Sequence, residues 1–305
     1  MSSRLVRIVA VRWPKHSTLT PRERLTICDN RISSMVPGSI DVVCFPESFL
    51  HAGLAYQHIS EVEHEYEPAT KHARKWARYL RANIVLPVIC CEGGRYTNSI
   101  LTFSRKGSLV GRYDKQHPWP SCLDPVEFEK GITPGRGNGI VKVDFGCFGL
   151  QTCFDVNWPE GWEAFRGHRP KFVLFPSEYG AGFALNARAW QIRTPIVAVI
   201  LGGKCRVIDI TGTEITRTSC KEFAHISVVT LNSNKALIHL DHNESAIRRL
   251  KSENPSIKLT RLRNDNVVLV EAPATGRELR RVFRECGVRE LDEYLAGVHE
   301  IINAN

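Results

Sequence analysis

No apolar run in the 305 residues approaches 18, the length a helix needs to cross a bilayer, so no transmembrane span is expected. No CxxC, HxxH or paired His–carboxylate motif appears, so neither a metal nor another cofactor is expected. The ten cysteines follow no framework spacing, and several fall in strand-like apolar runs, where a free thiol serves as a small hydrophobe and suits a reducing compartment. Short repeats, low-complexity tracts and Pro/Gly/Ser-rich linkers are also missing. One large domain over 1–272, followed by a C-terminal helical tail over 273–305, is the simplest organisation. The net charge of +9 comes without zinc-finger spacing or an RNA-binding aromatic motif. Basic groups at Arg248-Arg249-Leu250-Lys251, at 258–263 and at 277–284 therefore read as solvated faces, and no nucleic-acid partner is expected. Arg4, Arg7 and Arg12 without an early acid resemble a transit peptide, but Leu5 to Val11 already reads as a strand, which predicts a soluble, cytoplasmic protein.

What is present is enough apolar residue, 43%, to bury a full core. The periodicity predicts strands over 5–12, 41–46, 84–91, 98–103, 109–113, 139–144, 148–153, 172–176, 196–201 and 206–210. Helices are predicted over 21–36, 61–82 and 186–193 and from Trp158. Strand and helix alternate in both halves, with hairpins inserted, which argues a layered α/β domain.

Three strand ends carry chemistry. Val42-Val43-Cys44-Phe45-Pro46 ends in Glu47. Gly111-Arg112-Tyr113-Asp114 leads to Lys115 and on to Gln116-His117. Gly149-Leu150-Gln151-Thr152 ends in Cys153, followed by Phe154-Asp155 and Trp158-Pro159-Glu160. A thiol between a strand and a helix start has backbone N–H donors and a helix dipole near it, an environment that favours thiolate. Taken singly, each residue is ordinary: a buried cysteine, a turn acid and a surface lysine. Their coincidence is not.

Together these motifs resemble the nitrilase superfamily of carbon–nitrogen hydrolases, whose Glu-Lys-Cys triad occupies them in this order, and the resemblance covers about residues 4 to 272. It implies a four-layer α-β-β-α sandwich with the triad at one end of the paired sheets. It assigns Cys153 as nucleophile, Glu47 as proton carrier, and Lys115 with the Phe154 backbone N–H as oxyanion donors. His117 matches an orienting position outside the triad. The superfamily's second glutamate falls in Glu127-Phe128-Glu129-Lys130-Gly131-Ile132-Thr133-Pro134-Gly135, where spacing slightly favours Glu127 over Glu129. Trp119, Phe128 and Tyr179 are candidate substrate walls. The chain departs from the family at Arg188-Ala189-Trp190-Gln191-Ile192, where many members read Arg-Ala-x-Glu-Asn; this puts the polarity of the pocket in question.

Cys153-Phe154-Asp155 resembles the amidase and carbamoylase branches more than the Cys-Trp-Glu of true nitrilases. The expected activity is therefore hydrolysis of a small amide or carbamoyl substrate through a thioester, releasing ammonia or an amine. Nitrile hydrolysis is the alternative within the class; a silent scaffold or a basic nucleic-acid-binding protein is the alternative outside it. In the tail, Leu279, Val282, Phe283 and Cys286 share one helical face, and Leu291, Tyr294, Leu295, Val298, Ile301 and Ile302 share another. Since superfamily members commonly dimerise, a homodimer or larger homo-oligomer with the tail near the interface is expected.

Overall fold

The computed structural model describes residues 5–219, 223–241, 243–262 and 264–304, which form two compact units that divide between Thr230 and Leu231. In chain order the strands are β1 (Leu5–Arg12), β2 (Val42–Cys44), β3 (Asn83–Glu92), β4 (Arg95–Phe103), β5 (Leu109–Asp114), β6 (Pro120–Leu123), β7 (Val126–Phe128), β8 (Ile140–Val143) and β9 (Gly146–Leu150). They continue with β10 (Val173–Ser177), β11 (Ile196–Ile200), β12 (Lys204–Ile208), β13 (Glu214–Ser219) and β14 (His225–Asn232), then β15 (Lys235–His239), β16 (Lys258–Leu262) and β17 (Val267–Glu271). The helices are α1 (Pro21–Ser33), α2 (Tyr66–Leu80), α3 (Glu160–His168), α4 (Gly182–Ile192), α5 (Glu244–Glu253), α6 (Leu279–Cys286) and α7 (Leu291–Ala304).

Two six-stranded sheets, ordered β14-β1-β2-β3-β4-β5 and β13-β12-β11-β10-β9-β8, make the inner layers of the four-layer α-β-β-α sandwich. Their central strands read as continuous apolar runs because both faces are covered. On β1, Val9 and Val11 join the core shared with Leu25, Cys28 and Ile32 of α1 and Trp76 of α2, while Ile8 and Ala10, on the opposite face, are equally buried. Val173, Phe175, Ile196 and Ala198 pack in the same way under Trp162 and Phe165 of α3 and Leu185 and Ala189 of α4. β1, β2 and β3 run parallel, as do β9, β10 and β11. Crevices at the carboxyl ends of parallel strands are the usual ligand sites of α/β sheets. Glu47, Cys153 and Glu178 each follow such an end within a few residues.

Local chemistry explains the elements. Thr20 caps α1 in a reciprocal capping box with Glu23, and Pro21 stands at its start. The predicted helix over 61–82 is a 3-10 segment, Ile59–Glu65, running into α2, which ends on Arg81 in the left-handed conformation. No α-helix follows Cys153 directly. A five-residue 3-10 turn, Cys153–Asn157, comes first, and α3 starts only at Glu160.

The second unit is an antiparallel sheet, β15-β17-β16, with α5 and α6 against it. Its core includes Ile238, Leu250, Val268, Val270, Leu279, Val282, Phe283 and Cys286. A boundary at 272 therefore needs correction: residues 235–271 pair among themselves and join neither six-stranded sheet. No linker marks the division because only two residues separate β14 from β15. The first tail helix, α6, belongs to this core. On α7, Leu291 is buried, whereas Leu295, Ile301 and Ile302 are exposed.

Candidate active site

Glu47 is fixed from three sides. Its Oε1 accepts from Lys115 Nζ at 2.8 Å and from Asn98 Nδ2 at 2.9 Å, and its Oε2 accepts from the Glu178 backbone N–H at 2.8 Å. The chain leaves Glu47 through Ser48, which has a positive φ of 56°, into a turn closed by Ala52 N–H on Ser48 O. Arg24 of α1, fully buried, pins that turn by donating to the carbonyls of Phe49 and Ala52, and also to those of Ser17 and Leu19.

Lys115 lies just past β5, buried to 1% exposure, and its ammonium bridges two carboxylates: Glu47, and Glu129 at 2.5 Å. Glu129 Oε1 also accepts from the Trp119 backbone N–H at 2.9 Å, and its Oε2 from Asn98 Nδ2 at 3.0 Å. Pro134-Gly135 closes back on this strand: Gly135 N–H donates to Lys115 O, and a Cβ on Gly135 would stand 2.3 Å from Asp114 O. No side chain fits there. Glu127 is elsewhere. It lies on β7 of the small β6–β7 hairpin, exposed, accepting from Ser121 Oγ at 2.9 Å. The geometry thus corrects the preference for Glu127, because the hairpin's return through Glu129 and Lys130, both at positive φ, turns Glu129 inward.

Cys153 has a φ of 49°, a conformation that costs a non-glycine residue about 1–3 kcal/mol and is characteristic of functional turns. Glu47 shares a hydrogen-bonding interaction with its thiol, and Lys115 and Glu129 are close enough to act on it electrostatically. Burial, then the charge of Glu47, pushes the thiol well above its ordinary range; the Lys115 ammonium only partly offsets this. The expected thiolate environment is therefore corrected: without an adjoining α-helix and with two carboxylates nearby, the resting group is the neutral thiol. Burial alone would raise the Glu47 carboxyl too, but the Lys115 charge and hydrogen bonds from Lys115, Glu178 and Asn98 hold it below the usual carboxylate range. Burial opposes the charge on Lys115, yet Glu47 and Glu129 raise it well above the usual value, so it stays an ammonium.

The remaining candidates lie on segments that adjoin this cluster. Trp119 and Tyr179 are about half exposed, at 52% and 49%, and Phe128 is half-buried at the end of β7. Phe154 follows Cys153, its ring edge-on to Trp158 at 5.1 Å. His117 stacks on Trp158 at 4.2 Å and bonds Asp155, outside the ion cluster. The Gln191 departure is engaged elsewhere: its amide donates to Glu163 at 2.5 Å and its oxygen accepts from Arg188, which braces the turn after Cys153 through Val156 O. Asn98, Arg24 and the Glu178 backbone were missed by the sequence reading. Only Arg24 left a signal there, a charge four residues before the core residue Cys28.

A carboxylate, an ammonium and a thiol thus meet just past the ends of β2, β5 and β9. The carbon–nitrogen hydrolase family model matches residues 8–236, and the chain belongs to that family. The match ends near the close of the first unit. The chain is 27% identical over 168 residues to the deaminated glutathione amidase of Yersinia enterocolitica, a match spanning 52% of this chain and 58% of that relative. Among solved structures, an amidase from Nesterenkonia sp. superposes with a TM-score of 0.63 at 19% identity, covering 76% of this chain and 92% of its own. Nit3 of Saccharomyces cerevisiae, described as a member of branch 10 of the nitrilase superfamily, gives 0.61 at 14% identity, covering 75% and 90%. At these identities the likeness is one of fold.

Proposed function

We propose that the protein is an amidase-type hydrolase of small amide or carbamoyl substrates, with Glu47, Lys115 and Cys153 as its catalytic triad and Glu129 as the second glutamate. The observation that carries this reading is the buried Glu47 carboxylate, held charged by Lys115 beside a neutral Cys153 thiol. Such a pair suits attack with concurrent proton transfer. Glu47 takes the thiol proton as Sγ bonds to the carbonyl carbon, and the oxygen gains charge beside Lys115 Nζ and the Phe154 N–H. Protonated Glu47 passes its proton to the departing nitrogen, the C–N bond breaks, and a thioester remains. Water then loses a proton to Glu47 and attacks the thioester. As the C–S bond breaks, Glu47 returns the proton to sulfur, leaving a carboxylic acid and ammonia or an amine. Lys115 and Glu129 remain an ion pair throughout. Trp119, Phe128 and Tyr179 serve as walls for the substrate.

We assign the protein to the cytoplasm and to a homo-oligomeric state. Among the described residues no helix is long and apolar enough to cross a membrane, and the exposed apolar residues of α7 support the assembly.

Ammonia release across a panel of aliphatic amides, carbamoyl compounds and nitriles tests the activity. We expect amides or carbamoyl compounds to be turned over by the wild type and not by Cys153→Ala, and an early quench to add one acyl group to the Cys153 peptide. Substantial turnover by Cys153→Ala would overturn the mechanism, and exclusive nitrile turnover the substrate class.

A further inference from the structure

Asp155 lies two residues beyond the nucleophile with its carboxylate fully buried. One oxygen accepts from the His117 backbone N–H at 2.8 Å and bonds His117 Nδ1 at 2.9 Å. The other accepts from Tyr113 Oη at 2.8 Å and, at a longer 3.4 Å, from the Thr152 N–H. Burial and the Asp155 charge push the Tyr113 hydroxyl well above its ordinary value, so it remains a donor. Tyr113 and His117 stand two residues before and after Lys115, and Thr152 immediately precedes Cys153. A single carboxylate in the nucleophile turn thus grips the lysine segment on both sides. No substrate atom needs to reach it: its partners are all protein groups, and Trp162 Nε1 caps its backbone carbonyl at 3.2 Å.

We infer that Asp155 is a positioning residue that sets the distance between Lys115 and the Cys153 turn, so that the oxyanion formed at Cys153 meets the ammonium. This deepens the amide-hydrolase reading and rests on it. Asp155→Ala removes both grips. Asp155→Asn keeps the volume and one acceptor, so it retains the His117 N–H or the Thr152 N–H but not both.

If placement is the role, kcat falls by about 10²-fold in Asp155→Ala, the scale of an ångström-sized misplacement, and by roughly tenfold in Asp155→Asn, with KM moved less than about threefold. The distinguishing measurement is a double-mutant cycle. In a Lys115→Ala background Asp155→Asn should cost less than about threefold further, because nothing remains to be positioned. Equal losses in both backgrounds, or a loss confined to KM, would overturn the inference and leave Asp155 as packing. Asp155→Asn carries the test even where Asp155→Ala fails to fold. Crystal structures of the wild type and Asp155→Asn give a readout independent of turnover: the Lys115 Nζ to Cys153 Sγ separation should widen by about 0.5 Å or more, the tolerance of a preorganised site. An unchanged separation overturns the inference, whereas absence of any turnover by the wild type sinks the amide-hydrolase reading alone.

Discussion

In the proposed mechanism, charge at Glu47 acts on Cys153 in two opposing ways. It would supply the base that removes the thiol proton, and it raises the thiol's pKa by disfavouring a second anion beside it. Raised means that the proton stays on sulfur at neutral pH, so alkylation of wild-type Cys153 by iodoacetamide should be slow at pH 7 and half-maximal above the ordinary thiol value near 8.5. Glu47→Gln removes the second-largest cause of that rise and keeps the Lys115 ammonium. The alkylation midpoint should therefore move to lower pH while turnover falls by about 10²–10⁴-fold, the range for losing a general base. A midpoint that stays put, or rises, would show that Glu47 does not face the thiol. Glu47, Lys115 and Cys153 stood out in the sequence because each follows a strand end within three residues and the three motifs coincide. The thiol's protonation was not legible there: it depends first on burial and then on Glu47 and Glu129, which lie 106 and 24 positions earlier in the chain and meet Cys153 only in the fold.

Among the elements, the β6–β7 hairpin decides which glutamate enters the cluster. Its strands pair Cys122 with Glu127 and Pro120 with Phe128, which leaves Glu127 on an exposed face and delivers Glu129 to the base, where Trp119 and Lys115 meet it. Linear spacing fails here because a two-residue offset in a hairpin return means a change of direction, not of distance. Glu129→Gln should lower kcat by about 10²-fold or more and lower stability, since a buried ion pair loses one partner. Glu127→Gln, at a solvent-facing carboxylate, should stay within about twofold of wild type and within about ±0.5 kcal/mol in a denaturant titration. Equal, mild effects would remove both from the mechanism. The layered α/β class was readable because the central strands are apolar on both faces and alternate with helices, whereas the four-layer sandwich followed only from the family resemblance; the 3-10 turn after Cys153 was not readable, since a Pro near a helix start marks the start without fixing the residue.

At the scale of the molecule, the C-terminal unit separates two helices that look alike in sequence. α6 presents Leu279, Val282, Phe283 and Cys286 to the core beneath β15–β17, so it is already covered. α7 buries Leu291 and stacks Tyr294 on His239 at 4.6 Å, while Ile301 and Ile302 remain 64% and 66% exposed and Leu295 43%. An amphipathic pattern shows that a helix has an apolar face, not what covers it, which is why the two could not be told apart beforehand. A truncation at Gly276 would remove α6 and empty the core, so the assembly is better tested by Ile301→Lys/Ile302→Lys, which replaces two exposed residues. We expect light scattering to give a dimer or larger mass for the wild type and a smaller one for the double variant, with the thermal midpoint of the dissociated form set by the units alone. An unchanged mass in the double variant would remove α7 from the interface, and a monomeric wild type would eliminate the assembly.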